Sequence, residues 1–585
     1  MTSSQNPSNG AIAAAFDELG DLYELDGAII HRVLAYRAAA KAIREAPVSV
    51  AALARQGRVT ELTGVGATLE QKISDLLDTG TIPAAQRLRA RFPPGLIELT
   101  HLPGLGPKRA RRLFEELGID SLEALGQAAN DQRLRQLRGF GAQFEARVLQ
   151  ALATGVPERA RPRVLLPRAL ALAEQITDGL LGRLDEGETR IEVAGSARRR
   201  TDSVKDLDII ATAAEPLSVA RVLGELDIME SVEVGRSGAR GVTHTGLSVE
   251  LRVAAPEQFG SLLVHLTGSA AHNAALREAA VRRGLHVNEY GVLDDGTGET
   301  HRCATEEELY GRLGLAYIEP ELRENRGELG AAAGDGSALP HLVGEADIRG
   351  DLHCHTVASD GRNSIEEMAV AARERGYGYL AITDHSATHG FGNHVSPDDL
   401  RRQIERVHGV DQRLEGIRVL AGSEVNILPD GSPDYDDDLL AELDWVIASV
   451  HTAFSMDAEA MTRRMISATE HPLIDAIGHP TGRLIERREP YAVHMDALFE
   501  AAARTHTMLE INSNPDRRDL SDVHARAAVR AGVRIVIDSD AHATTTLGVM
   551  RWGVATARRA WLGAGDVANT LEWAQLAPLR KRARG

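Results

Sequence analysis

The sequence predicts a multidomain chain with a helical N-terminal part, a mixed α/β middle and a C-terminal α/β barrel. Three observations lead there. Residues 10–155 are rich in Ala, Leu, Arg and Glu and are punctuated by short glycine motifs. Residues 160–320 alternate strand-like runs (VLLP, IEVAGS, LDIIAT, SVELRV) with helical ones. Later, short apolar runs (YLAITDH, RVLAGSEV, DWVIASVH, LIDAIGHP, MLEIN, RIVIDSDAH) alternate with helical segments. That is the rhythm of a parallel barrel, whose functional side chains gather at strand C-termini. Between the last two regions, ENRGELGAAAGDGSALPHL (324–342) has little periodicity and reads as a linker.

Composition bounds the function. At 585 residues the chain is too long for one core, and roughly three to five domains are expected. No apolar run approaches a membrane span, and MTSSQNPSNGAIAAAF lacks the charged start and long apolar core of a signal peptide. Cys303 and Cys354 are the only cysteines, so no disulfide framework exists and a reducing cytoplasm is expected. The net charge of −18 argues at first against nucleic acid, but it is unevenly spread. Residues 81–170 carry 15 Lys/Arg against 8 Asp/Glu. Residues 345–585 carry 27 against 37, with most of the 21 histidines. Local charge selects partners, so a basic platform and an acid- and imidazole-rich region are expected side by side in one chain.

The helical part repeats one device: LTGVGATLEQK (62–72), LPGLGPKRARR (102–112) and LRGFGAQFEAR (137–147). Each places Gly-apolar-Gly (Gly64 and Gly66, Gly104 and Gly106, Gly139 and Gly141) ahead of a helix. The glycines permit a tight turn and a close backbone approach, and the helix N-terminus offers N–H groups to a phosphate. One such motif is usually a plain helix-joining turn. Three within 80 residues, with bases such as Lys72 and Lys108 following, point to a platform that grips a nucleic-acid backbone without reading sequence.

VKDLDII (204–210) reads as a strand, yet Asp206 and Asp208 sit two apart and project from one face. Paired carboxylates repel and are costly to desolvate unless a cation lies between them. Just upstream, EVAGSARRRTDSV supplies a turn, the Ser196 hydroxyl and the Arg198 and Arg199 guanidiniums, groups suited to a triphosphate. Carboxylates holding divalent ions beside such a turn serve phosphoryl transfer. The bland reading is an acidic strand end beside basic residues.

In the histidine-rich region, DLHCHTVASDG (351–361) puts His353 and His355 on one strand face, with Asp360 close behind. Cys354 faces the other way and reads as core. Further strand ends carry His385, Glu424, His451, His479, and Asp540 with His542. Any one alone would be incidental; together they form a metal-ligand set, and the imidazole–carboxylate mix suits Mn, Fe or Zn.

The succession GSARR, DLD, ELRV (250–253), LTGSAAHN (266–273), NEYGV (288–292) and LYGRLGLAYIEPELRE (309–324) resembles the bacterial branch of the X-family DNA polymerases. The histidine series resembles the PHP (polymerase and histidinol phosphatase) family. The resemblance implies helical N-terminal and fingers domains with helix-hairpin-helix motifs, an α+β nucleotidyltransferase palm and thumb, and a C-terminal α/β PHP barrel. The expected boundaries are a lyase-like domain 1–92, fingers 93–158, palm 159–260, thumb 261–323, linker 324–345 and PHP domain 346–585. It implies metal ligation by Asp206, Asp208 and Glu250, triphosphate contacts from Ser196 and Arg199, Arg252 beside the metal site, and approach of Gly268, Ser269 and Asn273 to the nucleotide. Glu250 stands where the family normally has Asp, and His265-Leu266 where animal relatives carry an aromatic pair. Lys72 falls where the lyase nucleophile lies, implying a Schiff base with an abasic sugar; Thr68 replaces a neighbouring base, and plain phosphate contact is the alternative. PHP precedent implies up to three ions: one on His353, His355, Glu424 and Asp540, a second bridged by Glu424 to His451 and His479, and a third on Asp360, His385 and His542.

The expected function is gap-filling DNA polymerisation in repair, with a metal-dependent 3′-5′ exonuclease in the PHP domain. Mg or Mn would serve the palm, and Mn, Zn or Fe the PHP cluster. The partners would be gapped or primer-template DNA and dNTPs, with a cytoplasmic monomer and no membrane. The alternatives are a DNA-end nuclease whose polymerase half positions substrate, and a small-molecule phosphatase fused to a DNA-binding scaffold.

Overall fold

The computed structural model describes residues 6–100, 102, 104–154, 163–184, 189–213, 215–390 and 392–583. Two compact units emerge. The first comprises Met1–Pro162, Leu172–Glu192 and Lys205–Ala254, and the second Arg163–Ala171, Val193–Val204 and Ala255–Gly585.

In the first unit, helices Asn9–Leu25 and Ile30–Glu45 pack through Ile12, Phe16, Leu19, Tyr36 and Ile43, all buried. The buried Asn9 amide ties this pair to the next turn, donating to Ala46 O and Val48 O and accepting from the Val50 N–H. The three glycine motifs adopt one shape. Gly64, Gly104 and Gly139 have φ of 87°, 82° and 92°, where a β-carbon would be strained. Gly66 and Gly106 open helices Ala67–Thr79 and Pro107–Leu117 without a side-chain cap, and Gly141 precedes helix Ala142–Thr154. The same unit holds a mixed sheet. Strand Asp206–Thr212 runs parallel to Ser248–Ala254, which pairs antiparallel with Gly238–Thr243, itself antiparallel to Met229–Gly235. Asp206 opens its strand exposed and Asp208 is half-buried, while Ile209 to Ala211 are fully buried. The acids therefore sit at the wet end of an otherwise apolar strand.

The second unit begins with a difference from expectation. VLLP contributes only Val164–Leu165 to a strand pair with Ser203–Val204, because helix Leu166–Leu181 starts at once. Helices Phe259–Thr267 and Ala270–Val281 follow, then a small antiparallel sheet and helix Glu306–Arg312. Residues 324–345, expected as a linker, carry the short helix Glu328–Ala331. The Glu328 carboxylate is buried against His272 Nδ1 at 2.6 Å and accepts from the N–H groups of Asn325 and Arg326. This stretch is built into the second unit and is more than a tether.

Seven parallel strands then follow in chain order: Gly350–Asp351, Tyr379–Ile382, Arg418–Asn426, Trp445–Ser449, Ala476–Ile477, Met508–Asn512 and Ile535–Asp538. A parallel bridge between Cys354 and Ala541 nearly closes the ring, with the His355 N–H donating to Ala541 O at 2.8 Å. Strands buried on both faces read as continuous apolar runs, which is how this sequence reads. Cys354 lies in the surrounding core, its thiol donating to Ala381 O and its pKa pushed well up by burial.

Candidate functional sites

The parallel register sets Asp208 directly beside Glu250 and Ile210 beside Arg252; the antiparallel register sets Arg240 on Glu250's other side. One row across three strands thus reads Asp208, Glu250, Arg240. Glu250 Oε1 lies 3.3 Å from Arg240 Nη2 and 3.6 Å from Arg252 Nη1. Sequence reasoning missed Arg240, because its proximity follows from strand register and from no motif. Asp206 stands two residues before Asp208 on the same strand. The first unit therefore gathers Asp206, Asp208 and Glu250 at one end of its sheet.

The other nucleotide-site candidates lie in the second unit. Gly195 (φ 65°) starts the short helix Gly195–Arg198, which leads into Arg199. Arg199 Nη1 donates to Thr267 O at 2.8 Å and its Nε to Glu324 at 2.9 Å. Arg198 forms a two-pronged pair with Glu306 at 2.8 and 2.7 Å, and Arg323, fully buried, donates to the same carboxylate at 2.5 Å. Burial works to raise Glu306, but these two guanidiniums prevail and hold it down at about 2. The Ser269 hydroxyl caps helix Ala270–Val281 by accepting from the His272 N–H. The Asn273 amide donates to His265 O at 2.6 Å, and a β-carbon at Gly268 would fall 2.3 Å from Asn273 Oδ1. A side chain there would have to displace the Asn273 amide.

The hairpins are open at their tips. A β-carbon at Gly64, Gly66, Gly104, Gly106, Gly139 or Gly141 would meet nothing within 4 Å. Lys108 is exposed at the start of its helix. Arg109 turns back, donating to Gly104 O at 2.9 Å and lying over the Phe140 and Phe144 rings. Lys72 is half-buried on helix Ala67–Thr79.

The barrel brings all nine expected metal-binding side chains together. Three ligand groupings are compact: His355, Asp360, His385 and His542; His353, His355 and Asp540; and His385, Glu424 and His451. Glu424 is central, with His385 Nδ1 at 2.8 Å, His479 Nε2 at 3.0 Å, His451 Nε2 at 3.2 Å and His353 Nε2 at 3.4 Å. Asp540 lies 3.1 Å from His355 Nε2, and Asp360 3.3 Å from His542 Nε2. Burial, helped by His385 and His542, pushes His355 down to about 4, and burial with Arg517 pushes His479 to about 3. Burial would raise Glu424 and Asp540, but surrounding imidazoles, among them His353 beside both, hold both well below the usual carboxylate range. Neutral imidazoles and ionised carboxylates are the states that bind metal. Burial opposes charge on His353 and His385 too, but Glu424 raises both, so a metal would have to displace their protons. Burial opposes charge on His542, yet Asp360 and Asp540 raise it to about 9, so a proton there balances the acids as a cation would. His353 Nε2 and His355 Nδ1 are buried without a well-aligned hydrogen-bond partner, a costly arrangement that a divalent ion would relieve. The residues fit a multinuclear metal site.

Sequence reasoning missed the layer behind these ligands. Fully buried Glu510 accepts from His353 Nδ1 at 2.7 Å and from the His479 N–H at 2.5 Å, fixing one ring and one backbone. Asn512 donates its amide to Asp540 Oδ2 at 3.0 Å. Both belong to MLEIN, where an acid inside an apolar run was the available signal.

Comparison with known proteins agrees with this arrangement. Residues 7–82 match the helix-hairpin-helix domain, 96–154 the SAM-like helix-hairpin-helix tandem, 262–324 the DNA polymerase beta thumb and 351–514 the PHP domain. These matches define the class, a beta-like polymerase core followed by a PHP domain. The chain is 38% identical to the DNA polymerase/3′-5′ exonuclease PolX of Bacillus subtilis, over 93% of this chain and 94% of that protein. It is also 32% identical to a probable phosphatase of Caldanaerobacter subterraneus, over 33% of this chain and 75% of that protein. A probable phosphatase of Shewanella sediminis is 31% identical over 40% of this chain and 94% of its own length. The chain belongs to the PolX family of bacterial DNA polymerases.

Proposed function

We propose that the chain fills short gaps in DNA during base excision repair and trims DNA 3′ ends with its PHP domain. One observation carries this reading: Asp208 beside Glu250 across the palm strands, a compact imidazole–carboxylate cluster in the barrel and three open hairpins occur in one chain. In the palm, Asp206, Asp208 and Glu250 hold divalent ions, while Ser196 and Arg199 bind the triphosphate. Gly268, Ser269 and Asn273 shape the wall against the incoming nucleotide. In the barrel, His353, His355, Asp360, His385, Glu424, His451, His479, Asp540 and His542 hold up to three ions, with Glu510 orienting His353. The bound ions supply Lewis acidity and charge neutralisation: Mg²⁺ or Mn²⁺ toward the primer hydroxyl and pyrophosphate, and Mn, Zn or Fe toward a phosphodiester and its attacking water. The hairpin glycines let backbone N–H groups reach DNA phosphates, and Lys108 adds a cation. Lys72 is assigned a phosphate contact in the same platform. No helix among the described residues is long and apolar enough to cross a membrane, and a cytoplasmic monomer acting on gapped or primer-template DNA fits this reading. The test is a 5′-labelled primer in a one-nucleotide gap, with Mn²⁺ and with or without dNTPs. Extension with dNTPs and shortening without them is expected. Shortening alone would reduce the chain to an end nuclease.

A further inference from the structure

The turn that carries Ser196 and Arg199 is held from the barrel. Three consecutive carbonyls, of Arg199, Arg200 and Thr201, accept hydrogen bonds from barrel arginines. Arg559 Nη1 donates to Arg199 O at 2.7 Å. Arg518 Nη2 donates to Arg200 O and its Nη1 to Thr201 O, each at 3.0 Å. The next side chain, Asp202, lies 3.2 Å from Arg518 Nη1 and 2.9 Å from Arg483 Nη1. Arg518 is fully buried, and its Nε is satisfied by Thr556 Oγ1 at 2.9 Å. Arg200 has φ 59°, a left-handed conformation that a side-chain-bearing residue keeps only when its surroundings impose it. On its other side, Arg518 is followed in sequence by a residue tied to the layer behind the metal cluster. Its neighbour Asp519 accepts from the N–H and hydroxyl of Thr481, two residues past His479, and pairs through its backbone with Asn512.

We propose that Arg518, a residue of the PHP barrel, is a positioning residue for nucleotide addition: it fixes the 199–202 turn so that Ser196 and Arg199 meet the triphosphate. A buried guanidinium is tolerated only when its donors are matched, and here most of the partners belong to that turn. Their planar geometry suits Arg and not Lys, whose point charge cannot span two adjacent carbonyls and a carboxylate. The inference rests on the reading that Ser196 and Arg199 contact the triphosphate.

The experiment is single-nucleotide gap filling by the full-length enzyme, with KM for dNTP and kcat measured separately. Metal content and primer shortening without dNTPs are recorded alongside. Arg518→Lys and Asp202→Asn should each raise KM for dNTP about tenfold, the effect of losing one or two charge-assisted contacts, with kcat changed far less. Metal content and shortening should stay at wild-type levels. Asp202→Asn alters the turn while leaving every barrel residue in place, so it decides the matter if Arg518→Lys folds poorly. Unchanged KM in Asp202→Asn, or a rise matched by equal losses of shortening and metal, overturns the proposal. Arg199→Ala separates the underlying reading. If it leaves KM for dNTP unchanged, the triphosphate assignment fails; if it raises KM while Asp202→Asn does not, only the positioning role of Arg518 fails.

Discussion

Glu250 reaches about 1.5 Å further than an aspartate would and adds a rotatable bond. Beside Asp208 it meets two cations, Arg240 and Arg252, which would compete for its carboxylate with any ion bound at Asp206 and Asp208. In a reaction governed by positioning and charge neutralisation, that competition is expected to make Mn²⁺, which accepts looser geometry than Mg²⁺, the better-supported ion. Glu250→Ala should lower single-nucleotide incorporation by about 10²–10³-fold, the scale of losing one transition-state electrostatic contact. Glu250→Asp should retain incorporation and narrow the Mn²⁺ preference; an unchanged rate in the alanine variant would remove Glu250 from the site. Glu510 makes a second residue-scale case. Its carboxylate fixes the His353 ring, so Glu510→Gln should weaken metal retention by about 10–100-fold, read by titration with a chelator. Retention equal to wild type would make Glu510 a bystander. The strand-end set was legible because one His or Asp closing an apolar run is usually incidental, whereas nine such side chains gathered at successive strand ends are not. Glu510 was not, because it lies inside its strand and acts through another side chain.

The hairpins were legible for a local reason. Gly64, Gly104 and Gly139 adopt the left-handed conformation that their motif demands. What sequence did not reveal is the division of labour within LPGLGPKRARR. Lys108 is exposed, whereas Arg109 closes its own hairpin onto Gly104 and packs over Phe140 and Phe144. Lys108→Ala should therefore weaken binding to DNA of any sequence alike and reduce the slope of log affinity against log salt by about one. A loss confined to particular sequences would indicate base readout instead. VLLP shows the opposite case: its β-propensity is real, but a helix beginning at Leu166 leaves only Val164–Leu165 in a strand. Short apolar runs do not distinguish a strand from the first turn of a buried helix.

At the scale of the whole chain, the uneven charge was the useful guide. A net −18 conceals a basic hairpin region and an acid-rich barrel whose carboxylates sit among imidazoles. Local periodicity revealed the succession of helical, mixed and barrel regions. It did not reveal that residues 163–171 and 193–204 cluster with the barrel, because guanidiniums bonded to backbone carbonyls leave no pattern in sequence. Two metal-dependent centres in one chain should be separable by mutation. The direct measurement follows a labelled primer in gapped DNA, with Mn²⁺ and with or without dNTPs, in wild type, Asp206→Ala and His353→Ala. Asp206→Ala should lose extension and keep shortening. His353→Ala should lose shortening and part of its bound metal while extending the primer at close to the wild-type rate. If both activities collapse together in either variant while it remains folded, there is one centre and not two.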